Sequence, residues 1–285
     1  MSTFEDDVRQ GRLEEALVGL QAAIRKAPAD PKLRTLLFQL TCILGQWDRA
    51  MTQLNVLADM DAKALPMVQT YRAALLCEEL RAEVFAGKRT PLLFGKPAEW
   101  AALLVQSLTL GAQGNAEQAA VLHAQAFEKA PTSSGKIDGQ PFAWLADADG
   151  RLGPVLEAIV DGKYYWIPFS NLSTITTEKP ADLRDFAWLP AYLTLSNAGQ
   201  VVALIPTRYP GSEKSGDTAI RLARKTDWNE RSAGSATGMG QRMFASDQGE
   251  YSLLDVRSIE FDASSDAASD ASSDAASEPA GQTAE

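Results

Sequence analysis

A chain of 285 residues with 45% apolar side chains is long enough for two domains, or one large one, with a proper core. Its formal net charge is −10, but residues 262–285 hold six carboxylates and neither lysine nor arginine, which leaves the body at about −4. That balance excludes a nonspecific nucleic-acid binder, which needs a clustered basic surface.

The chain opens Met1-Ser-Thr-Phe-Glu-Asp-Asp7, acidic where a secretory signal is basic and then apolar. No apolar run reaches the roughly 18 residues of a membrane span. The expectation is a soluble cytoplasmic protein. Cys42 and Cys77 lie inside apolar helical patterns, the ordinary placement of reduced thiols.

The first recognisable unit is Gly11-Arg-Leu-Glu-Glu-Ala16-Leu17, which recurs as Gly45-Gln-Trp-Asp-Arg-Ala50-Met51 after 34 residues. A third copy, Gly114-Asn-Ala-Glu-Gln-Ala119-Ala120, follows 69 residues later. The 34-residue shift is the period of a tetratricopeptide helix pair, and 69 is close to two further periods; in such pairs a small residue lets two helices approach and neighbouring pairs stack to bury one another. Helices are expected near 3–10, 12–27, 31–44, 47–60, 66–86, 97–112 and 115–130, with Asp30-Pro31 as a cap and first-turn proline. Residues 87–97, with two prolines and two glycines, read as a long inter-helix connection that breaks the middle repeat. The stacked pairs would leave a concave face for a partner segment.

After Pro131 the texture changes to aromatic and β-branched residues with turns. Asp161-Gly162 and Asn197-Ala-Gly199 each separate two apolar runs, 155–160 from 164–168 and 189–195 from 200–206, as hairpin turns do. Further strands are expected at 173–178, 242–245 and 250–261, and 217–225 reads as a short helix or a strand. The fold class is therefore α+β: a tetratricopeptide-like helical domain over 1–131, a mainly antiparallel β domain over 132–261, and a tail over 262–285. In the tail Asp262, Asp266, Asp270 and Asp274 recur every four residues with no large apolar residue to bury, so it is expected to be disordered.

Catalytic chemistry finds little material. The single histidine, His123, falls where the repeats place Leu20 and Leu54, so it reads as a packing residue facing the array. Asp147-Ala-Asp149-Gly150 begins like a calcium loop but lacks the later ligands, and a turn is the better reading. Gly234-Ser-Ala-Thr-Gly238-Met-Gly240 has neither the lysine nor the setting of a phosphate loop and reads as a mobile connection. Asp182 and Asp185 flank Arg184 as ion-pair partners. No metal site and no cofactor site assembles.

What remains are clusters of arginines and aromatics. Pro91-Leu-Leu-Phe-Gly-Lys-Pro-Ala-Glu-Trp100, Asp147-Ala-Asp-Gly-Arg-Leu-Gly-Pro154, Leu183-Arg-Asp-Phe-Ala-Trp188, Ile205-Pro-Thr-Arg-Tyr-Pro-Gly-Ser-Glu213 and Gly240-Gln-Arg242 occur in this order. In them the chain resembles the ImpE family, also called TagJ or SciE-type proteins, accessory components of bacterial type VI secretion. The resemblance runs from about residue 5 to 261 and leaves the tail aside.

The resemblance implies a non-enzymatic cytoplasmic adaptor without cofactor. Its partner would be the small subunit of the contractile sheath, bound chiefly through that subunit's N-terminal helix, with a link to the AAA+ unfoldase that recycles sheaths. Arg184, Asp185, Trp188, Arg208 and Tyr209 are the candidate partner-binding residues, because arginine beside tryptophan or tyrosine is enriched in interface hot spots. The concave face of the array is a second candidate. A generic repeat scaffold and an enzyme acting on a nucleotide or phosphorylated ligand are the alternative readings.

Overall fold

Each repeated glycine is a helix stop in the computed structural model, which describes residues 3–95, 98–232 and 235–263. Gly11, Gly45 and Gly114 have φ of 76°, 66° and 88°, where a side chain would be strained. At Gly45 the glycine N–H donates to the Cys42 carbonyl at 3.1 Å and the Gln46 N–H to the Thr41 carbonyl at 2.9 Å. These reverse bonds satisfy the last carbonyls of the preceding helix and turn the chain into the next one.

The helices so delimited are α1 (Phe4–Arg9), α2 (Leu13–Lys26), α3 (Pro31–Ile43), α4 (Trp47–Met60), α5 (Leu65–Phe85), α6 (Glu99–Ala112) and α7 (Ala116–Lys129). Thr3 caps α1 in a reciprocal box with Asp6, and Asp30 accepts from the Lys32 N–H at 2.8 Å ahead of Pro31. Ala16, Ala50 and Ala119 are all buried, as close helix approach requires.

Between α5 and α6 the expected loop contains a strand, β1 (Leu92–Leu93), that pairs in parallel with a sheet formed much later in the chain. The physical reason is the apolar Leu92-Leu93-Phe94 core of that segment. Its Phe94 N–H donates to the Trp166 carbonyl at 3.0 Å, and the Phe94 ring meets that of Tyr165 at 5.4 Å.

From residue 135 the chain is mainly strand: β2 (Gly135–Ile137), β3 (Gln140–Phe142), β4 (Leu145–Asp147), β5 (Val155–Val160), β6 (Lys163–Pro168), β7 (Leu172–Thr177), β8 (Trp188–Leu195) and β9 (Gln200–Pro206). After the short helix α8 (Thr218–Arg221) come β10 (Thr226–Ser232), β11 (Ser235–Gly240), β12 (Met243–Ser246), β13 (Gly249–Ser252) and β14 (Ser258–Phe261). Nine strands form one sheet in the order β1-β6-β5-β9-β8-β7-β14-β2-β3, antiparallel except at β1. β13, β12 and β4 make a second sheet, and β10–β11 a separate hairpin.

Both expected hairpin turns are present, with Asp161 and Gly162 at φ of 47° and 72° and Ala198 at 65°. The glycine-rich segment expected to be mobile is instead strand β11 over its described part. Tyr209 explains one glycine there, since a Cβ at Gly238 would lie 2.2 Å from its ring. Gly234 lies outside the described residues, as do residues 264–285 of the tail.

The helical layer and the sheet share one core. Val155, Ile159, Tyr164, Trp166, Trp188 and Leu204 point from the sheet into the same apolar cluster as Leu20, Phe38, Leu54 and Leu104. The other sheet face, with Leu156, Ile167, Leu189 and Ile205, packs on Phe169, Phe244 and Val256. Because β5 is covered on both sides, all six of its residues are buried, the continuous pattern of an interior strand. Part of the array's apolar surface is thus covered by the protein's own sheet. No helix among the described residues is long and apolar enough to cross a membrane.

A candidate partner groove and the polar core beneath it

The helix stop at Gly45 starts α4 with Trp47 and aims it back towards α5. Between these two helices lies an open groove of about 910 Å³. Leu44, Trp47, Met51, Leu75 and Leu76 supply its apolar surface, and Glu213 and Lys214 close one side from the β half. A Cβ on Gly45 would stand 2.4 Å from Cγ of Glu213, so that wall rests directly on the repeat glycine.

Leu76 is 61% exposed within the groove although it sits mid-helix on α5. Glu79 and Glu83 follow it on the same face at helical spacing. Glu78, one residue over, turns inward: it accepts from Trp188 Nε1 at 2.8 Å and from Arg81 Nη1 at 3.3 Å.

Those two bonds open a buried polar core between α5 and the sheet. Arg81 grips Glu157 of β5 through Nε at 2.7 Å and Nη2 at 3.0 Å, and Nη2 also donates to the Arg208 carbonyl at 2.8 Å. Arg242 bridges Glu157 Oε2, which it shares with Arg81 Nη2, to Asp147, and Tyr164 donates to Glu157 and accepts from Trp166 Nε1 at 2.7 Å. Tyr209 donates to Asp147 at 3.0 Å, and Asp149 takes Arg151 Nε at 2.8 Å and the Gly238 N–H at 2.9 Å.

Burial and charge divide the two central carboxyls. Burial works to raise both; at Glu157 two flanking arginines overcome it and hold the group at about 2. Asp147 has Arg242 alone and feels the neighbouring Asp149, so burial prevails and lifts it to about 7. Each acid is consumed by an arginine, a tyrosine or a backbone N–H, which leaves none directed at a ligand. Among the described residues no cluster of three or more His, Cys, Asp or Glu is placed to hold a metal.

The five candidate partner residues lie in this region, and four of them face inward. Asp185 caps a short turn, accepting from the N–H groups of Ala181 and Asp182 at 2.8 and 2.9 Å. Trp188 packs between Trp47 and Tyr71 in tilted contacts, with ring centres 6.0 and 5.9 Å away. Arg208 donates to the Ile43, Cys42 and Arg221 carbonyls, and Tyr209 is closed over by Trp228 at 5.7 Å. All four are buried. Arg184 alone keeps solvent access, its side chain 22% exposed, paired with Asp182 at 2.5 Å and lying over Tyr71. Direct contact of a partner with the other four would require the two halves to part.

His123 also departs from expectation. Its Nε2 lies 2.6 Å from the Gly150 carbonyl, so it docks α7 on the β half instead of facing the array. Cys42 and Cys77 are free and buried. The groove residues were not singled out in the sequence because exposed leucine and glutamate on a helix look like any solvated face. Glu157 did leave a signal, a lone charge inside the run Val-Leu-Glu-Ala-Ile-Val, which marks a buried ionic partner.

Comparison with known proteins agrees with this architecture. A family model described as ImpE protein matches residues 139–260, and a tetratricopeptide repeat model matches residues 7–75. The type VI secretion system accessory component TagJ of Pseudomonas aeruginosa is 53% identical over 258 residues, covering 90% of each chain. An X-ray crystal structure of a Vibrio parahaemolyticus protein superposes with a TM-score of 0.83 at 23% identity, over 93% of this chain and 99% of that one, a likeness of fold. An identity of 53% across nine-tenths of both chains places the chain in the ImpE family, to which TagJ belongs.

Proposed function

We propose that this protein is a non-enzymatic accessory component of type VI secretion that works in the cytoplasm by protein binding. Its partner is the small subunit of the contractile sheath, engaged through that subunit's N-terminal helix, and the complex connects the sheath to the AAA+ unfoldase that recycles it. The observation that carries the reading is the 53% identity to an accessory component named TagJ over 90% of both chains. The repeat architecture supports it, since stacked helix pairs are a common seat for partner segments. So does the polar core, whose acids and arginines are committed to one another.

In this reading Arg184, Asp185, Trp188, Arg208 and Tyr209 serve partner binding from behind, by fixing helices to sheet and so setting the shape of the groove. Residues 1–131 and 132–261 then act as one body rather than as separate modules.

Capture of the sheath subunit by the immobilised full chain tests the proposal. Retention of the subunit, and its loss when the N-terminal helix is deleted from it, is the expected result. No retention by the wild-type chain would overturn the reading and leave a repeat scaffold with another partner.

A further inference from the structure

We infer that the α4/α5 groove is the seat of an amphipathic helix that carries a pair of lysines or arginines one turn apart beside its apolar stripe. This rests on the adaptor reading in that it supplies the surface which that reading leaves open. Three observations lead to it. The groove runs along α5 from Leu75 to Ala86, about 18 Å at the helical rise, which is the length of a helix of three turns or so. Its apolar surface is usable: Leu76 stands 61% exposed, with Trp47 and Met51 across from it. An exposed leucine bordered by tryptophan and methionine is the anchor type that a helix-in-groove contact uses.

The third observation is charge. Five carboxylates line the groove against three cations, Arg49, Lys88 and Lys214. On α5 the lining charges Glu78, Glu79 and Glu83 are all acidic, and Lys88 comes only after the helix has ended. Glu78 is spent on Trp188 and Arg81. Glu79 is in no ion pair among the described residues. Glu83 meets Arg89 at 3.1 Å, but that arginine is 65% exposed, a surface pair that a ligand cation displaces at little cost. Two carboxylates four residues apart on one helix match two cations four residues apart on another, next to the leucine that the apolar stripe would cover.

Fluorescence anisotropy on the full chain, with two helix-stabilised peptides, tests this. The peptides share one leucine stripe and differ only in a lysine pair or a glutamate pair one turn apart beside it. The wild type should bind the lysine peptide about tenfold or more tightly, a preference that shrinks as salt rises. Glu79→Lys with Glu83→Lys should erase or invert the preference, and Leu76→Asp should weaken the lysine peptide by about tenfold or more. Leu76 and Glu79 are exposed, so circular dichroism should show these variants folded. Equal affinity for the two peptides, no binding of either, or wild-type behaviour of the variants overturns the assignment. The sheath-capture assay keeps the two ideas apart. If the variants retain the subunit as the wild type does, the groove is wrong and the adaptor reading stands. If the wild type discriminates the peptides but retains no sheath subunit, the reverse holds.

Discussion

Arg208 donates from Nη1 to the carbonyl of Ile43 at 2.9 Å, across 165 residues of chain. Ile43 ends α3, and Nη2 reaches the neighbouring Cys42 carbonyl at 3.2 Å. A buried guanidinium from the β half thus satisfies the orphan carbonyls and the negative end of a repeat helix. Arg224 repeats the device on α1, donating to the Arg9 carbonyl at 2.8 Å. Replacing Arg208 by alanine should cost about 3 kcal/mol in urea unfolding, and by lysine about half that, because one ammonium cannot span three carbonyls. A loss below about 0.5 kcal/mol for the alanine variant would show the cap to be incidental.

Glu157 is held by Arg81, Arg242 and Tyr164 at once. Glu157→Gln should therefore destabilise by about 3–5 kcal/mol, since it removes the carboxylate that two buried guanidinium groups share and leaves Arg81 only Glu78 and Arg242 only Asp147. A fall in the urea midpoint with unchanged m-value is the expected signature. A variant as stable as the wild type would mean that the arginines find other partners.

The pH dependence should carry the mark of Asp147. Its folded carboxyl is raised from 3.8 to about 7, so the folded state takes up a proton between those values. This contribution to stability is complete at low pH and is lost as pH rises through about 7. Glu157 works in the opposite sense, lowered from 4.5 to about 2, and its contribution fades only as pH falls towards 2. Between pH 5 and 8 the wild type should lose on the order of 2 kcal/mol relative to Asp147→Asn. Parallel stability profiles for the two proteins across that range would show that Arg242 offsets the burial of Asp147 and keeps it ionised throughout.

Gly45 and Gly114 occupy the same repeat position but should differ in tolerance. Alanine at Gly114 meets no heavy atom within 4 Å and suffers only its φ of 88°, a cost of about 1 kcal/mol. Alanine at Gly45 adds a collision with Glu213, whose Cγ would be 2.4 Å away. It should cost clearly more, about 2–3 kcal/mol, and Glu213→Gly should recover part of the difference. Equal losses in thermal unfolding would mean that Glu213 is free to move aside.

Separating the halves tests whether they share one folding unit. A fragment of residues 1–131 would expose the apolar surface that Val155, Ile159, Trp166 and Trp188 now cover. It should unfold without a sharp transition or aggregate, while the full chain melts in one step. A monomeric fragment with a cooperative transition would show the array to be self-sufficient.

By itself the sequence determined the local order. The glycine–alanine echo located the helix stops, because a left-handed stop and a close helix approach each demand a particular small residue at a particular place. The turns at Asp161-Gly162 and Asn197-Ala-Gly199 fixed hairpin registers for the same reason. Leu92-Leu93 was not legible as a strand, since two residues acquire that state only from a partner strand 73 residues on, at Tyr165 and Trp166. Arg208 and Tyr209 stood out in the sequence, but whether such side chains meet solvent or a helix end is not a local property. That was decided by the docking of sheet on array, which buried the arginine–aromatic clusters as mortar and left the solvated face of α4 and α5 as the open groove.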